Sequence, residues 1–316
     1  MPSWPKNKPN GLSTPNRCDG DVHVAGACPL RVCDALDWAR EAFVTAGVDT
    51  PQLDAELLLS HVLACSRVGL RTRWHDGLPA SVSATFGELV RRRSLREPLA
   101  YLLQERPFYD VVLAVTPAVL VPRPETEHLV DAALAWARRH ADRVLRVVDV
   151  GTGSGAIAIV LARHLPTAEV VAVDLSPDAL AVARRNAERL DMGESITFVQ
   201  SDLLDAVDGA FDIIAANLPY VDRDELPALM PEVSCYEPRL ALDGGVGGLQ
   251  VVSRLIAVLP QRLAPKGLAL LELDPRQAQT AVALARAALP KAAISMIRDY
   301  AGYERVLVIE RVEEEV

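Results

Sequence analysis

The segment VLRVVDVGTGSGAIAIVLARHL, residues 144–165, is the most informative stretch of the chain. It runs from a short apolar stretch through a glycine-rich turn into a second apolar stretch, which predicts a strand, a tight turn and a helix. Further short apolar strands follow at 170–173, 196–199, 211–215 and 268–273, with a helical pattern at 177–190. This alternation predicts an α/β fold with a parallel sheet and helices on both faces. Ligands of such folds bind at the carboxyl ends of the strands.

The rest of the chain divides into regions of different character. Residues 1–29 are rich in Pro, Asn, Gly, Ser and Asp without an apolar period, so we expect a flexible leader. Over residues 30–105 apolar side chains recur at helical spacing, as at Val32, Leu36, Ala39 and Phe43, which predicts a smaller all-α domain. Residues 106–122 favour strands and predict a linking β-hairpin. Residues 123–316 then form the domain that contains the parallel sheet.

Composition limits the classes of function. The 316 residues are 50% hydrophobic and 24% charged, which excludes a mainly disordered chain. A net charge of −9 makes nucleic acid an unexpected partner, although a local basic patch stays open. No apolar run reaches the ~18 residues of a membrane span and no signal peptide is visible, so we expect a cytoplasmic protein. The five cysteines form no C-x-x-C pair and are expected to be reduced.

The turn Gly151-Thr152-Gly153-Ser154-Gly155 is the first candidate binding site. Its glycines remove side chains where backbone must approach a ligand, and they permit positive φ. Together with Ala156 it also satisfies the dinucleotide fingerprint G-x-G-x-x-A. A tight turn without any ligand is the alternative.

Two acidic residues follow the next two predicted strands. Asp174 can accept hydrogen bonds from ribose hydroxyls, or it can cap the following helix. Asp202 can accept from an adenine amino group while Leu203 packs on the ring; a capping role is again the alternative. Nicotinamide cofactors and S-adenosylmethionine both contain adenosine, so these residues predict an adenosine cofactor without deciding between the two.

The tetrapeptide Asn217-Leu218-Pro219-Tyr220 follows the fourth strand and favours S-adenosylmethionine. A planar NH₂ group is held by two acceptors, which the Asn217 side-chain oxygen and the Leu218 carbonyl can supply. Pro219 restricts the preceding residue to an extended conformation and so fixes that carbonyl. The Tyr220 ring can lie against the planar group. This arrangement predicts methyl transfer to an amide or amine nitrogen, with no metal and no covalent intermediate.

These residues resemble a known family. The tetrapeptide is similar to the Asn-Pro-Pro-Tyr motif of class I S-adenosylmethionine-dependent amino-methyltransferases, and residues 31–311 resemble the N5-glutamine methyltransferases of peptide chain release factors. The stretches that carry the resemblance are REPLAYL at 96–102, VPRPETE at 121–127, DVGTGSG at 149–155, EPRLALDGG at 237–245 and RDYAG at 298–302. The family usually has proline where Leu218 stands, and the spelling Asn-Leu-Pro-Tyr also occurs in rRNA adenine dimethyltransferases.

The resemblance implies a Rossmann-like class I methyltransferase fold. It implies methylation of the glutamine in the Gly-Gly-Gln motif of class 1 release factors, with a helical amino-terminal domain that helps to dock this protein substrate. It also implies that residues 151–155, Asp174 and Leu203 hold the cofactor and that residues 217–220 hold the glutamine amide. Two alternatives stay open: the same chemistry on a ribosomal-protein glutamine or on an exocyclic amine of RNA or DNA, and a cofactor-binding regulator without turnover.

Other charged residues have two interpretations each. Arg123 and Glu125 either shape the mouth of the site or form an inter-domain salt bridge. The arginines at 91–93 either meet an acidic partner or RNA, or they lie on a solvated helix face.

Overall fold

The part of the chain between Val32 and Leu103 is helical. The computed structural model describes residues 28–140 and 142–312, so the leader predicted at 1–29 lies outside the described residues except for its last two positions. The helices of this part are α1 (Val32–Thr45), α2 (Pro51–Val62), α3 (Arg67–Thr72), α4 (Ala80–Ser94) and α5 (Leu99–Leu103). Their apolar faces meet in one core that includes Leu36, Phe43 and Phe86. Pro51 occupies the first turn of α2, where its missing N–H leaves no helical hydrogen bond unmade.

A short hairpin connects the helical part to the sheet. Strands β1 (Glu105–Phe108) and β2 (Val111–Ala114) pair antiparallel. Within the hairpin predicted over 106–122, the second strand ends at Ala114, just before Thr116-Pro117, where the strand pattern breaks because proline lacks the N–H that a strand ladder needs. Residues 115–121 run instead as a loop whose apolar side chains Val115, Val119 and Val121 are buried.

The larger part is a seven-stranded mixed sheet. Its strands are β3 (Arg146–Val150), β4 (Glu169–Asp174), β5 (Ile196–Gln200), β6 (Phe211–Ala216), β7 (Leu263–Glu272), β8 (Ala293–Arg298) and β9 (Glu304–Glu310). They lie in the order β5-β4-β3-β6-β7-β9-β8. The pairs from β5 to β7 are parallel, whereas β9 runs antiparallel to both of its neighbours. The predicted fold class is therefore confirmed. Two strands that were not predicted extend the sheet beyond β7: the reversed strand β9 and the edge strand β8.

Helices cover both faces of the sheet. They are α6 (Glu127–Arg139), α7 (Ala156–His164), α8 (Pro177–Arg189), α10 (Gln250–Arg262) and α11 (Ala278–Ala288). A short helix, α9 (Pro231–Ser234), lies in the loop after β6. Side chains of α6 and α7 belong to one buried cluster, and those of α10 and α11 belong to a second cluster on the other face. The central parallel strands β3 and β6 are consequently buried on both sides and mostly apolar, as expected of parallel strands.

The register of the sheet brings the predicted site residues to one edge. Val150 pairs with Val173 and with Ala216, and Asp174 pairs with Gln200. The glycine turn, Asp174, Asp202 and Asn217 therefore follow neighbouring strands at the same carboxyl edge.

Buried ion pairs join the helical part to the loop after β6. The Glu232 carboxylate, on α9, accepts from Arg93 at 2.9 Å and from Arg96 at 2.6 Å. Arg93 also donates to Asp54 at 2.7 Å, and its side chain is only 7% exposed. The interpretation of 91–93 as a solvated face is thus wrong at Arg93, because α4 turns that position toward the interface.

Cysteine state and membrane-spanning helices can be assessed for the described residues. Cys28, Cys33 and Cys65 are free thiols. Over the described ranges, no helix combines the length and the apolar character needed to span a bilayer.

Candidate active site

A cleft of about 900 Å³ opens at the carboxyl edge of the sheet. Its floor is formed by the residues that follow β3, β4, β5 and β6, and its walls come from the loop before α6 and from residues 236–243. Every predicted cofactor residue except Gly155 lines it, as do Asn217, Leu218 and Pro219; Tyr220 is not part of the lining.

The glycine turn is shaped by close backbone packing. The N–H groups of Gly151 and Thr152 both donate to the Val173 carbonyl at 2.9 Å. Gly155 has φ +85°, and a Cβ there would lie 3.0 Å from Ile159 and 3.2 Å from Ala183. Glycine is therefore favoured at this position both for its positive φ and because α8, which carries Ala183, packs closely against it.

Asp149, which sequence reasoning did not select, anchors the turn from beneath. Its Oδ2 accepts from the Thr152 hydroxyl at 2.6 Å and from the Ala158 N–H at 3.1 Å. The side chain is fully buried, and burial raises the pKa of Asp149 to about 7. The sequence signal for Asp149 is its position as a single acidic residue within an apolar strand. A carboxylate buried there needs hydrogen-bond donors, and the turn that follows the strand can supply them.

Asn186, on α8, was also missed. Its amide nitrogen donates to the Ser154 carbonyl at 2.8 Å and to the Ala114 carbonyl at 2.9 Å. Its oxygen accepts from the Ala114 N–H at 2.7 Å. One buried amide thereby ties the glycine turn to the linking hairpin.

Asp174 connects the glycine turn to β4. Its two oxygens accept from the N–H groups of Gly153 at 2.8 Å and Ser176 at 2.9 Å. Burial raises the pKa of this carboxyl group, and these backbone donors oppose the rise. The cap of α8 is Ser176, whose hydroxyl accepts from the Ala179 N–H, so the alternative of Asp174 as the helix cap is wrong. Asp174 lines the cleft, and ribose binding by its carboxylate remains a prediction.

Asp202 and Leu203 lie side by side along the cleft. Asp202 is partly exposed and pairs with Arg254 of α10 at 2.8 Å. Leu203 has φ +51° and is buried in the core beneath it. The Arg254 contact was not foreseen, because it joins segments 52 residues apart.

Asn217 is held by two residues that sequence reasoning did not assign to the site. Its amide nitrogen donates to the Thr126 hydroxyl oxygen at 3.0 Å, and Thr126 donates in turn to Glu272 Oε2 at 2.6 Å. The Tyr220 hydroxyl donates to the other oxygen of Glu272 at 3.2 Å. Burial raises the pKa of Glu272, which is 1% exposed, while the two hydroxyl donors lower it. The sequence signal was again a lone acid at the end of an apolar strand.

The remainder of the tetrapeptide packs on its surroundings. The Leu218 side chain is buried, and its methyl group lies 3.1 Å from the position of a Cβ on Gly151. Leucine is therefore accommodated here by the core. The Tyr220 carbonyl accepts from Gln277 at 2.7 Å, which fixes the loop beyond Pro219.

Arg123 and Glu237 form an ion pair in the cleft wall. Arg123 donates to Glu237 Oε1 at 2.7 Å, and burial raises the pKa of Glu237 to about 7. Both residues line the cleft. Of the two interpretations of Arg123, the structure supports the one at the mouth of the site.

The fold and this site define a class I methyltransferase. A methyltransferase domain model matches residues 147–235, which supports S-adenosylmethionine as the cofactor, and a model described as the PrmC N-terminal domain matches residues 34–103. The structure resembles that of the catalytic domain of hMettl16 in complex with the MAT2A 3'UTR hairpin 6, with a TM-score of 0.55 and 16% identity over 72% of this chain and 84% of that one. At this identity the likeness shows the fold.

Curated relatives narrow the class. The chain is 40% identical over 287 residues to the release factor glutamine methyltransferase of Rhodopirellula baltica, covering 90% of this chain and 97% of the relative. It is 42% identical over 250 residues to that of Geobacter sulfurreducens, covering 79% and 86%. The chain belongs to the release factor glutamine methyltransferase family.

Proposed function

We propose that this enzyme methylates the N5 amide nitrogen of the glutamine in the Gly-Gly-Gln motif of class 1 peptide chain release factors. Family membership supports the release factor as substrate. The observation that carries the chemistry is the orientation of Asn217: its nitrogen donates to Thr126, which leaves its oxygen as the atom available to a ligand. A substrate NH₂ group needs such an acceptor.

The cleft suits S-adenosylmethionine. Its volume of about 900 Å³ is within the usual range of small-molecule sites, and its lining includes the turn residues 151–154 and the Asp174 carboxylate. The glycine turn at 151–155 would hold the cofactor with Asp174 on the ribose and with Asp202 and Leu203 on the adenine. When bound, this cofactor supplies a methyl group activated by a sulfonium.

The protein's task is to position a poor nucleophile. The lone pair of an amide nitrogen is delocalised into the carbonyl, so the nitrogen reacts only when it is aimed well and when its developing positive charge is stabilised. Asn217 Oδ1 and the Leu218 carbonyl would accept hydrogen bonds from the two N–H groups of the glutamine amide. These two hydrogen bonds would aim the nitrogen and stabilise its developing positive charge. The amide proton leaves after the transfer, so no strong base is required. Tyr220, which does not line the cleft, would support the tetrapeptide through the hydrogen bond from its hydroxyl to Glu272.

The helical region would help to dock the release factor. It is anchored to the loop after β6 by Arg93, Arg96 and Glu232, and the same loop continues into the cleft wall at residues 236–243. We expect the enzyme to act in the cytoplasm.

The test is methyl transfer from labelled S-adenosylmethionine to purified release factor, followed by mass spectrometry of the Gly-Gly-Gln peptide. A release factor with Gln→Ala in this motif is the control. We expect label on the glutamine and none on the control. Label in a ribosomal protein or in RNA instead, or cofactor binding without turnover on any of these substrates, would reject the proposal.

A further inference from the structure

The hydrogen bonds around Asn217 form a chain with a defined direction. Thr126 has a single hydroxyl proton, and it points to Glu272 Oε2 at 2.6 Å. The Thr126 oxygen is therefore left as an acceptor, and the Asn217 nitrogen donates to it at 3.0 Å. Thr126 and Glu272 are both buried, so water does not compete freely for these bonds.

We propose that Thr126 and Glu272 are positioning residues that determine which end of the Asn217 amide faces the substrate. This inference rests on the proposed function and deepens it. An asparagine amide is nearly symmetric in shape, so packing alone selects poorly between its oxygen and its nitrogen. Only a neighbour of fixed polarity makes the choice, and an acceptor behind Asn217 turns the oxygen toward the cleft.

Glu272 sets the polarity of that neighbour. Its two oxygens accept from Thr126 and from Tyr220, so a single carboxylate orders both ends of the tetrapeptide. Arg305 contributes a positive charge that favours the carboxylate, and Glu125 contributes an opposing negative charge. The arrangement joins three segments, since Thr126 precedes α6, Asn217 follows β6 and Glu272 ends β7.

The first test is Thr126→Val, which keeps the shape of the side chain and removes the hydroxyl. We expect kcat on release factor to fall on the order of 10- to 100-fold, as is common when a partner of a reacting side chain is lost. Cofactor affinity by calorimetry should stay near that of the wild type. Thr126→Ser, which keeps the hydroxyl, should restore most of kcat.

The second test combines Thr126→Val with Asn217→Ala. Because Thr126 acts through Asn217, the double variant should be no slower than Asn217→Ala alone. The inference would be overturned if the double variant were slower than Asn217→Ala by the factor that Thr126→Val alone costs. It would also be overturned if Thr126→Val had the kcat of the wild type, or if Thr126→Ser did not restore the rate.

The experiments distinguish failure of the proposed function from failure of the positioning role of Thr126 and Glu272. If wild-type enzyme does not methylate release factor, the proposed function is rejected. If the wild type is active and the Thr126 series shows one of the contrary results, only the positioning role is rejected. Thermal unfolding of each variant shows whether a rate loss follows from loss of fold.

Discussion

The amide nitrogen of Asn217 lies 3.0 Å from the hydroxyl oxygen of Thr126, although 91 residues separate them in sequence. This contact gives the tetrapeptide after β6 a defined orientation, because it assigns the donor end of the Asn217 side chain to the protein interior. The acceptor end is then available for a substrate amide. Most of what we propose about the chemistry follows from this relationship.

Asn217→Ala should reduce kcat on the order of 10²- to 10³-fold, the effect expected when one stabilising hydrogen-bond partner of a transition state is removed. Cofactor affinity should be mostly retained, since the glycine turn and Asp174 do not depend on Asn217 for their hydrogen bonds. Single-turnover rates with release factor, together with calorimetric titration of the cofactor, check both parts. An unchanged rate would remove Asn217 from the mechanism.

Gly155→Ala should destabilise the protein by roughly 1–3 kcal/mol and weaken cofactor binding, because the new methyl group meets Ile159 and Ala183 at a positive φ. Gly247→Ala is a matched control: φ there is +70°, but the added methyl group meets nothing within 4 Å. Urea unfolding of the two variants separates the effect of crowding from that of backbone strain. Equal losses of stability would show that crowding at Gly155 is unimportant.

Glu232→Gln should destabilise the junction between the helical part and the sheet by roughly 1.5–3 kcal/mol, the usual range for hydrogen bonds to charged groups. Arg93 and Arg96 would lose the carboxylate that faces them both. Glu225→Gln is the control, because its partner Arg276 is exposed and such pairs contribute little. Denaturant titration measures the difference, and hydrogen exchange should show faster opening at α4 and α9. A variant as stable as the control would contradict the structural role of this cluster.

The stability of the wild type should depend on pH through Asp149. Burial raises its pKa from 3.8 to about 7, so the folded state binds this proton more tightly than the unfolded chain does. The stabilisation of the folded state that comes from protonated Asp149 is fully present below about pH 4, and it is lost as the pH rises through about 7. Asp149→Asn keeps an acceptor for Thr152 and removes the titration, so its free energy of unfolding should fall less over that range. Parallel slopes for variant and wild type would contradict the assignment.

Local patterns were sufficient to predict the parallel strands, the glycine turn and the row of polar residues at one edge. Each depends on neighbouring residues: apolar runs, glycine spacing, and a polar side chain directly after a strand. Thr126, Asn186 and Glu272 were missed because their roles depend on contacts between distant segments. The prediction that Arg93 is solvated was wrong for the same reason, because its partner Glu232 is distant in sequence and cannot be inferred from the pattern of α4. Strands β8 and β9 were missed because they depart from the strand–helix alternation. β8 is a partly exposed edge strand, and β9 follows it directly in an antiparallel pair.

The most direct test of the central claim is a crystal structure of the enzyme with demethylated cofactor and a release factor. We predict that the substrate glutamine nitrogen lies within about 2.7–3.2 Å of both Asn217 Oδ1 and the Leu218 carbonyl oxygen. A complex in which the Asn217 nitrogen faces the glutamine, or in which the glutamine lies outside the cleft, would contradict the account.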